Sequence, residues 1–186
     1  MIHKLIFKYL RTKELLLRWM EMSAFSDAIF RTHPGNLPSQ SRQYNSDNET
    51  LAHFGAFARV HAALHPYRAM LMQEAHISGT PVVRHPWLHY PADAQVLPLV
   101  DQFMLGPDLM VAPVVAPNRT WVTAYLPSEP RGWFNLWTNT TYDTSAAGTT
   151  VNVTAQGVPG VFVRRDSTWG GSITAAVCKA TNVCKF

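Results

Sequence analysis

The residues best suited to chemistry in this chain are a short basic pair, Arg31 and His33, in the triplet Arg31-Thr32-His33 at the end of an apolar run. Side chains two positions apart on an extended segment point to the same side. A guanidinium and an imidazole placed so would offer several hydrogen-bond donors to one hydroxyl-rich or anionic ligand. The plainer alternative is a pair that anchors the following loop to backbone carbonyls. Eight histidines are present in all, and two further pairs have spacings that a metal would need. His61 and His65 share a helix face, yet no carboxylate lies between them as in His-Glu-x-x-His, and Pro66 ends that helix. His85 and His89 fall on one face of a strand-like segment with no third ligand in view. No metal site is expected from either pair.

Hydrolysis of a glycoside needs two carboxylates roughly 5 to 9 Å apart whose environments push their pKa values apart. The twelve acidic residues form no such pair. Asp27 interrupts an apolar run, Asp47 and Glu49 suit a helix start, and Asp93, Asp101 and Asp108 fall among turn residues, where Asp bonds its own backbone. A Gly-x-Ser-x-Gly elbow, a phosphate-cradling glycine loop and a cysteine nucleophile are all missing from the sequence. Cys178 and Cys184, the only cysteines, could close a small disulfide loop or remain two thiols.

The elements that would position Arg31 and His33 are helices. Residues 12–25 place Leu15, Trp19 and Met22 on one stripe, widened by Leu16, with Glu14 in the first turn. A second helix runs from about Thr50, capped by Asp47 or Asn48, through Leu51, Phe54, Phe57 and Ala58 to Leu64. Pro66 opens a third, with a Tyr67, Leu71, Ala75 stripe, and Gly79 closes it. The Pro-, Asn- and Ser-rich stretch between the first two helices is a polar loop into which the apolar run empties. Beyond residue 81 the pattern changes to short apolar runs separated by turn residues: PVVRHPWLHYP, FMLG, LMVAPVV, TWVTAYLP, WFNLWT, TVNVT and VPGVFVRR. Val151 and Val153 alternate with Thr150, Asn152 and Thr154, as in a half-solvated antiparallel strand. The fold class is therefore helices followed by a β-sandwich of five or six strands.

At 186 residues, 47% hydrophobic and 15% charged, the composition is that of a globular chain. The net charge of +4 is scattered, with no basic run, so a nucleic-acid partner is not expected. No apolar stretch approaches the roughly 20 residues of a membrane span, and a membrane partner is not expected either. The first ten residues are too short and too interrupted by His3, Lys4 and Lys8 for a secretory signal. Four Asn-x-Thr sequons, at Asn48, Asn118, Asn139 and Asn152, favour a secretory or lysosomal-like setting, although Thr-rich strands also produce such triplets by chance.

The ordered blocks RTKELLLRWMEMSAFSDAIFRTHPGN, TLAHFGAFARVHAALHPYRAMLMQEAHISGTPVVRHPWLHYPADAQ and DQFMLGPDLMVAPVV resemble the C-terminal third of glycoside hydrolase family 31 over about residues 11 to 166. The resemblance implies an α/β plus β chain, the C-terminal end of a (β/α)8 TIM barrel followed by an antiparallel β-sandwich. It divides the sequence into a divergent segment at 1–10, the last barrel strand and helices at 11–90, a proximal sandwich domain at 91–168 and a divergent tail at 169–186. Arg31-Thr32-His33 matches the family's Arg-x-His at the end of the last barrel strand. Gly106, Asp108, Leu109, Val111, Ala112 and Pro113 match its Gly-x-Asp-Leu-x-Val-Ala-Pro segment.

By that resemblance His33 contacts a hydroxyl of the sugar whose bond is cleaved, and Arg31 supports it. The implied activity is retaining hydrolysis of terminal α-glycosides by an aspartate nucleophile and an aspartate acid/base. Neither aspartate motif occurs in this sequence, so the chain is expected to be inactive by itself and to need the remainder of the catalytic barrel as partner, with a carbohydrate substrate and no cofactor. The form Arg-Thr-His-Pro-Gly-Asn is closer to the sulfoquinovosidase-like branch than to the Arg-Asn-His-Asn of starch- and maltose-cleaving members. The rival expectation is a stand-alone carbohydrate-binding or scaffold module with His33, Trp133 and Trp137 as sugar contacts. Against it, Trp133 and Trp137 share a strand face, which fits plain sandwich core.

Overall fold

A computed structural model describes residues 10–26, 30 and 40–184. Three helices come first. α1 (Lys13–Ser23) is capped by Thr12, whose hydroxyl accepts from the Leu15 backbone N–H. α2 (Asn48–Ala63) is capped by Asp47, which accepts from the Thr50 N–H. α3 (His65–Ser78) has Pro66 in its first turn and ends on Gly79 at φ 76°, the left-handed cap that only glycine adopts without cost. Leu64 alone separates α2 from α3, because Pro66 cannot continue the preceding helix but suits the start of a new one.

Eight strands follow, all paired antiparallel. β1 (Val83–Arg84), β2 (Phe103–Leu105), β3 (Leu109–Ala112), β8 (Gly160–Arg164), β5 (Trp133–Asn135) and β6 (Thr141–Tyr142) lie in that order in one six-stranded sheet. β4 (Trp121–Leu126) and β7 (Thr149–Thr154) form a separate two-stranded ribbon. No barrel closes among the described residues. Instead the six-stranded sheet is covered on both faces, and its period-2 alternation divides two cores. Leu105, Leu109, Val111, Val161 and Val163 face a core shared with Phe57, Val60, Tyr67 and Leu71 of the helices. Met104, Met110, Ala112, Trp133 and Phe162 face the other, closed by Val122, Ala124 and Leu126 of β4 and Val153 of β7. Double coverage explains why β3 and β8 read as continuous apolar runs, whereas β4 and β7, with one face in solvent, alternate.

Two expectations need correction. Along α1 the side chains buried in this fold are Leu16, Met20 and Glu21, while Leu15 and Trp19 are 39% and 50% exposed. Of the stripe read from spacing, Leu15 and Trp19 thus face outward, while Leu16 is buried and Met22 half-buried. The segment after Gly79 is a strand for only two residues; Pro86–Leu88 form a 3₁₀ turn, because a proline at 86 cannot donate to a sheet ladder. His85 and His89 therefore flank a turn and do not share a strand face.

The C-terminal stretch forms α4 (Gly170–Thr181), which packs on α2 and buries Ile173 and Val177 in the helix-side core. Cys178 pairs with Cys184 just past its end, closing the loop after the left-handed cap at Asn182.

Candidate functional site

Arg31 and His33 lie outside the described residues, as does Asp27, but both ends of the segment that carries them are anchored. On the entering side Ala24 and Phe25 are fully buried, and Phe25 meets Trp137 edge-on with ring centroids 6.2 Å apart. Phe30, immediately before Arg31, stacks on Phe54 at 5.4 Å and on His61 at 5.5 Å, both on α2. On the leaving side Arg11 ties residues 41–43 to the start of α1. Its backbone N–H donates to Ser41 Oγ at 3.2 Å, its carbonyl accepts from the Arg42 N–H at 2.9 Å, and its guanidinium donates to the Arg42 carbonyl at 2.8 Å and to Gln43 Oε1 at 2.6 Å. Arg11 is almost wholly buried. Desolvating a guanidinium is tolerable only with such a set of acceptors. The polar loop is thus tethered by an aromatic stack at one end and a multidentate arginine at the other.

A second tether fixes the start of α2 to the start of α1. Lys13 Nζ lies 3.1 Å from Asp47 Oδ1 and 2.6 Å from Glu49 Oε2. The Thr50 backbone N–H, then Lys13, hold the Asp47 carboxyl down at about 2. Glu21, buried on α1, lies 2.9 Å from Arg18 Nη1 and 3.3 Å from His53 Nε2 on α2. Arg18 also donates to the carbonyls of Ala155 and Arg119, so α1 is bolted to α2 on one side and to the β4–β7 ribbon on the other. Glu21 was not singled out by sequence; a glutamate at a helix position flanked by methionines carries no sign that it will be buried.

Asp108, Asp93, His85, Trp133 and Trp137, also considered above, are committed to structure. Asp108 Oδ2 accepts from the Tyr67 hydroxyl at 3.1 Å, and burial followed by that carboxylate pushes the phenol well up. Asp93 accepts from the Gln95 N–H and from the Tyr125 hydroxyl. His85 Nδ1 caps the Trp87 N–H and its Nε2 contacts the Leu99 carbonyl. Trp133 and Trp137 are buried, and each indole N–H is spent on a carbonyl, Pro127 and Pro159 respectively. They are core, and sugar cannot reach them. No cluster of three or more metal-ligating side chains occurs among the described residues, and no described helix is long and apolar enough to cross a membrane.

Arg84 is the buried hub on the strand side. Its guanidinium is paired with Glu74 of α3, bonded to the Pro81 carbonyl, and 3.1 Å from His89 Nε2. Burial, then the Arg84 charge, lowers the His89 pKa below its ordinary 6.5. The folded chain therefore keeps His89 neutral where the unfolded chain binds a proton, so stability falls as pH drops through about 6.5 and is recovered above it. Denaturant midpoints measured from pH 8 to 5 should decline over that window, and His89→Gln should flatten the decline.

Residues 79–168 match the model of the glycosyl hydrolase family 31 C-terminal domain. The chain belongs to this family. It is 41% identical over 165 residues to the sulfoquinovosidase of Escherichia coli K12, covering 88% of this chain and 23% of that protein. It is 39% identical over 163 residues to the sulfoquinovosidase of Agrobacterium fabrum, covering 87% and 24%. Among solved structures it superimposes on a family 31 sulfoquinovosidase from E. rectale, in complex with an aza-sugar inhibitor, with a TM-score of 0.85 and 32% identity over 95% of this chain and 26% of that one. The chain thus spans about a quarter of the length of the relatives it matches. The family 31 matches account for both the anchored loop stem and the doubly covered sheet as parts of one inherited framework.

Proposed function

We propose that this chain supplies one wall of the sugar site in a retaining α-glycosidase of the sulfoquinovosidase type. The observation that carries the reading is the 41% identity with the E. coli sulfoquinovosidase over 165 residues of this chain. In this reading residues 11–90 are the last strand and helices of a (β/α)8 barrel and residues 91–168 its proximal sandwich. His33 hydrogen-bonds a hydroxyl of the sugar at the cleaved bond, at the C-terminal rim where barrel enzymes build their sites, and Arg31 holds the histidine in place. The contacts at Phe30 and Arg11 fix the residues on either side of that segment, and positional precision at a site requires fixed flanks.

Catalysis needs two carboxylates that this chain does not carry, so its partner is the remainder of the barrel. The outward faces of α1 and α3, with Leu15, Trp19, Met72 and Ile77 exposed, are the surfaces this partner covers. The preferred substrate is an α-sulfoquinovoside, with an α-glucoside second. The chain by itself should release no aryl alcohol from an aryl α-sulfoquinovoside or an aryl α-glucoside above the uncatalysed rate. Turnover by the isolated, homogeneous chain would sink the reading.

A further inference from the structure

The four Asn-x-Thr triplets are treated unequally by the fold. Asn118 and Asn139 sit in exposed turns at φ 59° and 56°, the left-handed region that asparagine tolerates better than most residues. Asn152 faces outward from the middle of β7, alternating with buried Val153. The threonines two residues on, Thr120, Thr141 and Thr154, are exposed as well. Asn152 Oδ1 accepts from Thr123 Oγ1 at 2.6 Å, which leaves its Nδ2 uncommitted. The fourth triplet differs. Asn48 begins α2, and Thr50 is fully buried with its hydroxyl donating to Asp47 Oδ1 at 2.9 Å.

A second observation points to the compartment in which such triplets are used. Cys178 and Cys184 are the only cysteines and they form a disulfide, a bond that persists in the secretory lumen and seldom in a reducing cytosol. We infer that Asn118, Asn139 and Asn152 carry N-linked glycans and that Asn48 does not. The co-reactant is a lipid-linked diphosphate oligosaccharide. Asn Nδ2 attacks the anomeric carbon of the sugar, the N–C bond forms as the C–O bond to the diphosphate breaks, the lipid diphosphate leaves with the electron pair, and one amide proton is lost to base. No group is oxidised or reduced.

The placement has a physical consequence. β6 ends the strand order of the larger sheet, and Asn139 and Thr141 bracket its start. Among the described residues β7 pairs only with β4, and Asn152 stands on it. Unpaired strand edges invite association with other chains, and a bulky hydrated glycan beside each blocks that approach. This inference is independent of the glycosidase reading, since it concerns the sheet domain and no sugar-cleaving residue.

The test is glycopeptide mapping of the full chain, tagged at its own gene and purified from the cells that encode it, with thiols alkylated before digestion. The expected result is a glycan on each of the peptides containing Asn118, Asn139 and Asn152. Each of these asparagines should be converted to aspartate by peptide N-glycanase, the Asn48 peptide should be bare, and Cys178 and Cys184 should be unalkylated. Thr154→Ala should remove the Asn152 glycan alone, and Thr154→Ser should retain it. Any of the three asparagines found mostly bare, a glycan at Asn48, or alkylated cysteines would overturn the assignment.

Discussion

Gly106→Ala should lower the stability of this chain by about 3 to 5 kcal/mol. Gly106 sits at φ 59°, and a Cβ built there comes 2.3 Å from the Tyr67 hydroxyl oxygen and 2.5 Å from Leu71 Cδ2. Left-handed backbone costs a non-glycine residue roughly 1–2 kcal/mol. The clash adds more, because its partners cannot yield. Tyr67 and Leu71 are fully buried, and the Tyr67 hydroxyl is held by Asp108, whose backbone N–H donates back to it at 3.2 Å. The glycine of the Gly-x-Asp-Leu segment is thus the point where the turn between β2 and β3 rests directly on α3, and alanine would pry the sheet from that helix. At roughly 2–4 °C per kcal/mol for a chain of this size, thermal unfolding should begin some 6–20 °C earlier. A variant that melts with the parent would show that the turn is soft and that the close packing of sheet on helix matters little.

The second large effect is chemical. With the barrel completed, His33→Ala should reduce kcat/KM for the preferred glycoside by about 10²- to 10³-fold, the scale set by removing one donor from a site built to hydrogen-bond a substrate hydroxyl. The loss should appear in kcat as much as in KM, because a contact at the cleaved-bond sugar strengthens as charge develops in the transition state. Arg31→Lys should lie between parent and His33→Ala, since a lysine keeps the charge and loses the planar fork. A completed enzyme indifferent to His33→Ala would reduce the Arg-x-His pair to a loop anchor.

Much of the fold was legible because it rests on local rules. Asp47 as helix cap, Pro66 as helix opener, Gly79 as left-handed stop and the alternation of β7 all follow from backbone chemistry within a few residues. What was misread depended on partners distant in sequence. The Leu15, Trp19 stripe is apolar at helical spacing, and nothing local says which of two apolar faces of α1 meets α2. Glu21 is buried only because Arg18 and His53 converge on it. His85 and His89 were expected on one strand face, but Pro86 folds the segment into a turn beside Arg84. The doubly apolar β3 and β8 signalled strands but not the helix layer on their far side, which Ile173 and Val177 of the C-terminal helix help to complete. For the candidate site, residue types and spacing offered Arg31 and His33, which lie outside the described residues, and what the fold adds is the contacts of Phe30 and Arg11 on either side, which spacing could not indicate.

The central claim is that this chain completes a sugar site whose carboxylates lie elsewhere. It is tested most directly by replacing the matching C-terminal segment of the E. coli sulfoquinovosidase with this chain and assaying an aryl α-sulfoquinovoside beside an aryl α-glucoside. The predicted result is turnover of the sulfoquinovoside in excess of the glucoside, with retention at the anomeric carbon, from a hybrid that melts cooperatively. A hybrid that folds cooperatively yet cleaves neither glycoside would contradict the claim.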